Sequence, residues 1–171
     1  MQKTILRYGL YSGALAALLM TITSVYYSRH MDFENGEYVG YAGILLSMLF
    51  VFTGVRAYRE QAGGVLSFGK GFQVAISIVA ISCLCYVLAW MVIYETLLPD
   101  FMDKYTAHML EKMRSSGASE AAIQQHSQEI AEFKVMYDNP LIRFGLTFLE
   151  PFRVGILVAL ATAFILKKKE A

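Results

Sequence analysis

An acid and a base lie three residues apart in an apolar stretch near the end of the chain, at Glu150 and Arg153, with Pro151 between them. Residues at positions i and i+3 of a helix share a face, so these side chains can form an ion pair. Pairing offsets the cost of a charge inside a bilayer, which is about 2.5 to 3.5 kcal/mol on insertion scales. Pro151 cannot donate to the carbonyl of Thr147, so this carbonyl needs another polar partner. The three residues are the predicted intramembrane polar cluster.

Two interpretations of this cluster stay open. In the structural interpretation, Glu150 and Arg153 join hydroxyl groups of other helices, such as those of Tyr11, Ser12 or Ser77, in a buried polar knot that fixes helix register. In the functional interpretation, they line an aqueous cavity for an ion, a proton or a small solute. The structural interpretation is favoured, because a bundle of few helices leaves little room for a central pathway unless the protein oligomerises.

A second acid and base, Glu95 and Arg143, each lie within a helical turn of the same predicted membrane border, on consecutive apolar stretches. Charged side chains at a border reach the headgroup region, where they are far less costly than in hydrocarbon. The pair is therefore predicted to be an ordinary interfacial salt bridge.

The stretch GVLSFGKG at 64–71 nearly matches a phosphate-binding loop. That motif needs Ser or Thr after its Lys, to hold magnesium, and lies between a strand and a helix. Here Gly71 replaces the hydroxyl residue, and an apolar span precedes the stretch. It is therefore predicted to be a cytoplasmic turn in which Ser67 caps the next helix and Lys70 reaches the headgroups. The residues of this glycine-rich turn are Gly63, Gly64, Ser67, Gly69, Lys70 and Gly71.

The other reactive side chains lack the spacing of a catalytic or metal site. Cys83 and Cys85 point about 200° apart on one helix, and His108 and His126 belong to no local carboxylate–histidine pattern. The chain also has no nucleophile elbow. We therefore expect no catalytic residue, no cofactor, no metal and no enzymatic activity. Nucleic-acid binding is not expected either, because the basic residues lie against the membrane borders.

Composition indicates the elements that must position these residues. The chain has 171 residues, of which 56% are hydrophobic and 17% are charged, and its mean hydropathy is +0.45. Stretches at about 4–27, 38–58, 72–98 and 141–166 are long enough to cross a bilayer, which takes about 20 apolar residues. We expect an all-α fold in which residues 1–171 form a single membrane domain, an integral membrane bundle of four transmembrane helices.

The connection at about 99–140 is predicted to be an extracytoplasmic helical hairpin between spans 3 and 4. Apolar residues recur at helical spacing on both sides of the SSGAS segment at 115–119, and Ser119 can cap the second helix. The hairpin can stand upright as a stalk or lie on the headgroups.

Basic residues predict the orientation. Lysine and arginine dominate the two chain ends and the turn between spans 2 and 3, from Lys3 and Arg7 to the lysines at 167–169, whereas acids dominate the other side, from Asp32 to Asp138. By the positive-inside rule, both termini are expected in the cytoplasm.

Small residues recur at four-residue intervals and predict close helix packing. The stripes are Gly9, Gly13 and Ala17; Gly36 and Gly40; and Gly155, Ala159 and Ala163.

Four segments together carry a family resemblance: GGVLSFGKGF, YETLLPDF, SSGASEAAIQQ and GILVALATAFILKKK. With them the chain resembles the bacterial membrane proteins grouped as domain of unknown function 4199. The resemblance implies a four-helix inner-membrane protein and brings no activity or catalytic residue with it.

Two functions are compatible with these features. The first is a non-enzymatic membrane module that acts by helix packing or by association with the lipid bilayer, a second copy of itself or an envelope protein. The alternative is a small transporter or channel with a polar path through Glu150 and Arg153.

Overall fold

The structure is a computed structural model, and it describes residues 1–30 and 36–168 apart from the side chains at 27, 28, 30 and 37. The charged residues at 32 and 169, which contributed to the predicted orientation, lie outside the described part. All named elements are helices, and one isolated antiparallel bridge joins Leu66 to Lys168. The helices are α1 (Gln2–His30), α2 (Gly36–Ser47), α3 (Leu49–Gln61), α4 (Phe68–Thr96), α5 (Phe101–Ser115), α6 (Glu120–Tyr137) and α7 (Pro140–Leu166).

Four helical segments are long and apolar enough to cross a membrane, at Gln2–Tyr26, Tyr38–Gln61, Phe68–Thr96 and Pro140–Leu166. They coincide with the four predicted spans, and α2 and α3 together form the second. The third begins four residues earlier than predicted, because the Ser67 hydroxyl accepts a hydrogen bond from the Lys70 amide and starts α4 at Phe68.

Helix α4 is the centre of the bundle. Helices α1 and α7 both pack along it, and α3 contacts all three. The backbones come close where glycines face α4, because a Cβ on Gly13 would lie 2.5 Å from Cys85 Cβ and a Cβ on Gly155 would lie 2.3 Å from Val79 Cγ1. Both glycines belong to the predicted small-residue stripes. Gly40 differs, since a Cβ there would meet no atom within 4 Å.

Thr4 and Lys168, near the two ends of the chain, lie at the same end of the bundle as the turn between α3 and α4. Near the start, the Thr4 hydroxyl donates to Gln61 Oε1 over 3.0 Å. Near the end, the amides of Leu66 and Lys168 donate to each other's carbonyls at 2.9 and 2.8 Å. We call this the terminal end, and we call the opposite end, which carries α5 and α6, the hairpin end.

Helices α5 and α6 follow α4 and precede α7 in the chain. They pack on each other. Gly117, with φ of +79°, makes the turn, and the Ser119 hydroxyl caps α6 by accepting from the Ala122 amide. An ion pair between Lys134 and Asp103 joins the two helices. The hydrogen bond from Lys134 to Asp103 raises the pKa of the lysine amino group above its ordinary value.

The second span is interrupted at Met48, between α2 and α3. The Val51 amide donates to the carbonyl of Met48 at 2.9 Å, so the Ser47 carbonyl loses the partner that it would have in a continuous helix. The two halves also pack differently, since α3 contacts α1, α4 and α7 whereas α2 packs chiefly on α1. The bundle is consequently tight at the terminal end and open beside α2 at the hairpin end.

Candidate functional site

A cavity of about 520 Å³ occupies this open region. Side chains of α1, α2, α4 and α7 form its walls, and α5 and α6 contribute residues at the hairpin end. The ionisable and aromatic side chains in its lining include Glu150, Tyr86, Trp90, Tyr137, His108 and Lys112.

A layer of buried serines lies about one helical turn from the lining residues Ala16, Ile44 and Tyr86, on the side of the terminal end. Ser12 Oγ donates to the freed Ser47 carbonyl at 2.9 Å and lies 2.8 Å from Ser82 Oγ. Because the one hydroxyl hydrogen of Ser12 bonds to Ser47, the hydroxyl of Ser82 is the donor of the second bond. All three side chains are buried. The layer satisfies the interrupted backbone at a depth where no water is at hand to do so.

The bundle is densely packed on the terminal side of this layer. Met48, Val51, Val55 and Ile78 are all buried there. Within the described residues, the cavity is therefore closed toward the terminal end.

Glu150 is half-buried and lines the cavity, whereas Arg153 is exposed on the outer surface of the bundle. The described structure contains no ion pair between them, contrary to the prediction. The reason lies in the buried stripe of α7, which passes through Thr147, Pro151 and Gly155. At about 100° per residue, Glu150 lies about 100° from Pro151, and Arg153 lies about 60° further round on the same side, so Glu150 reaches the cavity whereas Arg153 is exposed.

The hydroxyl groups that were predicted to join this polar knot either have other partners or are exposed. Ser12 belongs to the buried serine layer, Tyr11 is exposed, and the Ser77 hydroxyl donates to the Gln73 carbonyl of its own helix at 2.8 Å. Helix α7 continues through Pro151, which is buried.

A chain of hydrogen bonds joins α4, α6 and α7 beside the cavity. Trp90 Nε1 donates to the Tyr137 hydroxyl at 2.8 Å, and this hydroxyl lies 3.2 Å from Thr147 Oγ1. Since the tyrosine oxygen accepts from tryptophan, its hydrogen is available to Thr147. The chain fixes two aromatic rings in the cavity wall.

Glu95 and Arg143 form a direct ion pair. Arg143 is only 3% exposed, whereas the side chain of Glu95 is 61% exposed. The guanidinium carbon lies 4.2 Å from the centre of the Tyr94 ring, which is within range of a cation–π interaction. Arg143 Nε has no hydrogen-bond partner among the described atoms. The pair therefore fastens α4 to α7, and its basic member is buried.

The glycine-rich turn has the conformation of a chain reversal. Gly63 and Gly64 have φ of +79° and +85°, which side chains disfavour. The amino group of Lys70 donates to Gln73 Oε1 at 3.0 Å. Gly71 is buried against Leu66 and Ala163, while Gly69 has open space where a Cβ would be. A helix precedes this turn, where a phosphate-binding loop would follow a strand.

Metal ligands are scattered through the described residues, and no three of His, Cys, Asp and Glu come together there. Cys83 is buried, Cys85 is half-buried, and both are free thiols.

The aromatic wall of the cavity was not predicted from the sequence. Tyr86 and Trp90, which line the cavity, lie four residues apart in α4, so they share one face of that helix. This spacing was available as a signal. The cavity exists because α2 packs chiefly on α1 and leaves space beside the other helices. This arrangement had no comparable signal in the sequence.

Four apolar helices of membrane-spanning length around a partly enclosed cavity indicate a multi-span helical membrane protein. More specifically, the chain belongs to the family described as protein of unknown function (DUF4199), whose model matches residues 7–168. The resemblance noted in the sequence is thereby confirmed. No curated protein and no solved structure matches the chain.

Proposed function

We propose that this protein is a non-enzymatic membrane protein that binds a small molecule in the cavity beside α2. The cavity is the observation that carries the proposal. Protein interiors are normally close-packed, yet about 520 Å³ stays open here between four helices. Ligand sites have this size, with mostly apolar walls and a few converging polar groups.

The proposed location is the bacterial inner membrane, with both chain ends in the cytoplasm. The basic residues of the terminal end support this orientation through the positive-inside rule. Among the described residues, Lys3, Arg7, Arg56 and Arg59 belong to that end. The cavity then opens in the periplasmic half of the bilayer.

Binding accounts for the geometry better than conduction does. A path through Glu150 and Arg153 would need both side chains in one space, and Arg153 is exposed and does not line the cavity. The packed layer below Ser12 also closes the cavity on one side. Association with a second copy or an envelope protein remains a separate proposal, for which the exposed surface of α5 and α6 is the natural candidate.

Cysteine labelling tests the orientation. In a variant without Cys83 and Cys85, single cysteines replace Ser116 and Ala62, both of which are exposed. An impermeant maleimide applied to spheroplasts should label the first position and reach the second only after permeabilisation. The reverse pattern would invert the orientation.

Quenching of Trp90 tests binding, because this residue is the only tryptophan in the chain and lines the cavity. In nanodiscs, an uncharged bromododecyl alcohol should quench its fluorescence saturably. Gly40→Leu should abolish the saturable component, because Gly40 lines the cavity and a Cβ there meets open space.

Gly145→Leu is the matched control. A Cβ at Gly145 also meets nothing within 4 Å, and this residue does not line the cavity. Quenching that rises linearly with the probe in all three proteins would reflect partition into lipid and would contradict the proposal.

A further inference from the structure

We propose that the Tyr86 hydroxyl is the recognition group of the cavity and donates a hydrogen bond to an uncharged ligand that carries a carbonyl oxygen on an apolar body. This inference names the ligand class of the binding function proposed above, and it rests on that function. The observation that carries it is a hydroxyl group inside the bundle without a hydrogen-bond partner.

Tyr86 is 8% exposed and lines the cavity from α4. No hydrogen bond joins its hydroxyl to any of the described residues. Within the same part of the chain, Arg143 Nε is the buried side-chain atom that has neither a partner nor accessible surface. The Tyr86 hydroxyl therefore keeps accessible surface, and the cavity is where a residue so deeply enclosed can have it.

Three other hydroxyl groups of the lining differ from that of Tyr86. The Tyr137 hydroxyl belongs to the chain of hydrogen bonds that joins α4, α6 and α7. The Thr23 hydroxyl donates to a carbonyl of its own helix at 2.9 Å. Tyr41 is 39% exposed, so water or headgroups can reach its hydroxyl. Tyr86 thus combines deep burial with an unused donor.

Tyr86 lies at the depth of the hydrocarbon layer. The third span, Phe68–Thr96, has 29 residues, and Tyr86 is four residues past its middle residue, Ser82, or about 6 Å along the axis. Half of a hydrocarbon core is about 15 Å thick, so headgroups do not reach this level. A hydroxyl hydrogen without an acceptor is costly in an apolar medium. A ligand that supplies the acceptor removes this cost.

A carbonyl oxygen suits this donor better than other polar groups do. It accepts a hydrogen bond without adding a hydrogen of its own, whereas an alcohol brings a second donor that needs a further acceptor at the same depth. An ion is unsuited, because the cost of placing it in hydrocarbon exceeds the gain from one hydrogen bond. The ligand is therefore an uncharged carbonyl compound.

The neighbouring walls accept an apolar body. The lining from α1 and α2 is largely apolar and includes Leu19, Met20, Val39 and Ile44. Trp90 lies one helical turn from Tyr86 and lines the same cavity, and Cβ atoms four residues apart in a helix are about 5 to 6 Å apart. A ligand held by Tyr86 consequently lies beside the indole ring, whose fluorescence reports its binding.

Displacement of the bromododecyl alcohol in nanodiscs of uncharged lipid tests the preference for a carbonyl group. Dodecane and decyl methyl ketone have equally long chains and differ in one carbonyl group. Recovery of Trp90 fluorescence gives the Kd of each as a mole fraction in the lipid. We expect the ketone to bind about fivefold more tightly than dodecane, which corresponds to about 1 kcal/mol for one hydrogen bond.

Tyr86→Phe removes the hydroxyl and keeps the ring. We expect it to bring the Kd of the ketone to within about twofold of that of dodecane and to leave the Kd of dodecane unchanged. Tyr11→Phe is the matched control, because Tyr11 is exposed and does not line the cavity. This control should keep the full preference for the ketone.

Infrared spectroscopy of the isotopically labelled ketone detects the hydrogen bond directly. A carbonyl group that accepts a hydrogen bond absorbs at lower frequency than a free one. We expect the low-frequency band with the wild-type protein and with Tyr11→Phe, and its loss with Tyr86→Phe. If Tyr86→Phe does not fold, the wild-type protein still decides, since absence of both the band and the preference would overturn the proposal.

The outcomes separate this proposal from the binding function. Equal saturable binding of dodecane and the ketone would overturn the carbonyl preference and leave the binding function intact. A preference that survives Tyr86→Phe would overturn the assignment to this hydroxyl, and equal weakening of both compounds by Tyr86→Phe would show that the residue acts by packing. Absence of saturable binding by the alcohol and by both compounds would overturn both proposals.

Discussion

Arg143 and Glu95 differ greatly in burial although they form one ion pair. The arginine is 3% exposed and the glutamate side chain 61% exposed. When one partner is removed, the remaining charge must be accommodated alone, and this is costly only for a buried group. Glu95 can be hydrated without its partner, whereas Arg143 would keep only its contacts with the Tyr94 and Tyr137 rings.

This asymmetry predicts that Glu95→Gln destabilises the protein more than Arg143→Met does. The expected loss for Glu95→Gln is about 1 to 3 kcal/mol, the usual range for a buried polar group without its partner. Thermal unfolding in detergent shows which of the two variants is the less stable. Arg56→Met, which breaks an exposed pair with Glu60, is the control and should cost at most about 1 kcal/mol. A larger loss for Arg143→Met would mean that packing of the guanidinium outweighs its charge.

At the scale of the helix, the contact between α7 and α4 depends on Gly155. A Cβ at this position would lie 2.3 Å from Val79 Cγ1, so Gly155→Ala must push the helices apart. We expect a loss of about 1 to 3 kcal/mol, as for other overpacked cores. Gly145→Ala in the same helix meets no atom and should be neutral or stabilising by up to about 1 kcal/mol. Val79→Ala should partly rescue Gly155→Ala, and failure of that rescue would contradict the steric explanation.

The break in the second span depends in turn on one hydroxyl group. Ser12→Ala removes the donor to the Ser47 carbonyl and should cost about 1 to 3 kcal/mol, because the acceptor is left buried without a partner. Ser77→Ala is the control, since that hydroxyl bonds only to its own helix, and should change stability by at most about 0.5 kcal/mol. Equal stability of the two variants in thermal unfolding would contradict the stabilising role of the Ser12 hydroxyl at this break.

Over the whole molecule, the features that the sequence predicted are those with local causes. Apolar length predicted the four spans, and the caps at Ser67 and Ser119 follow from hydroxyl residues at helix starts. The direction of Arg153 was not predictable from its spacing to Glu150, because it depends on which face of α7 meets α4. The interruption at Met48 is similarly invisible, since it is stabilised by serines from two other helices.

The second span is one apolar stretch in the sequence but two segments of unequal stability in the fold. Helix α3 is held by three neighbours and α2 chiefly by one. Regions with few packed neighbours open at lower free energy, so amide hydrogen exchange should proceed in α2 before α3. Equal protection of the two segments would contradict this.

Since the Ser47 carbonyl is already satisfied by Ser12, α2 can swing outward without breaking a backbone hydrogen bond of α3. A small-molecule ligand can therefore enter the cavity by displacing the twelve residues of α2, while α3 and the other spans keep their positions.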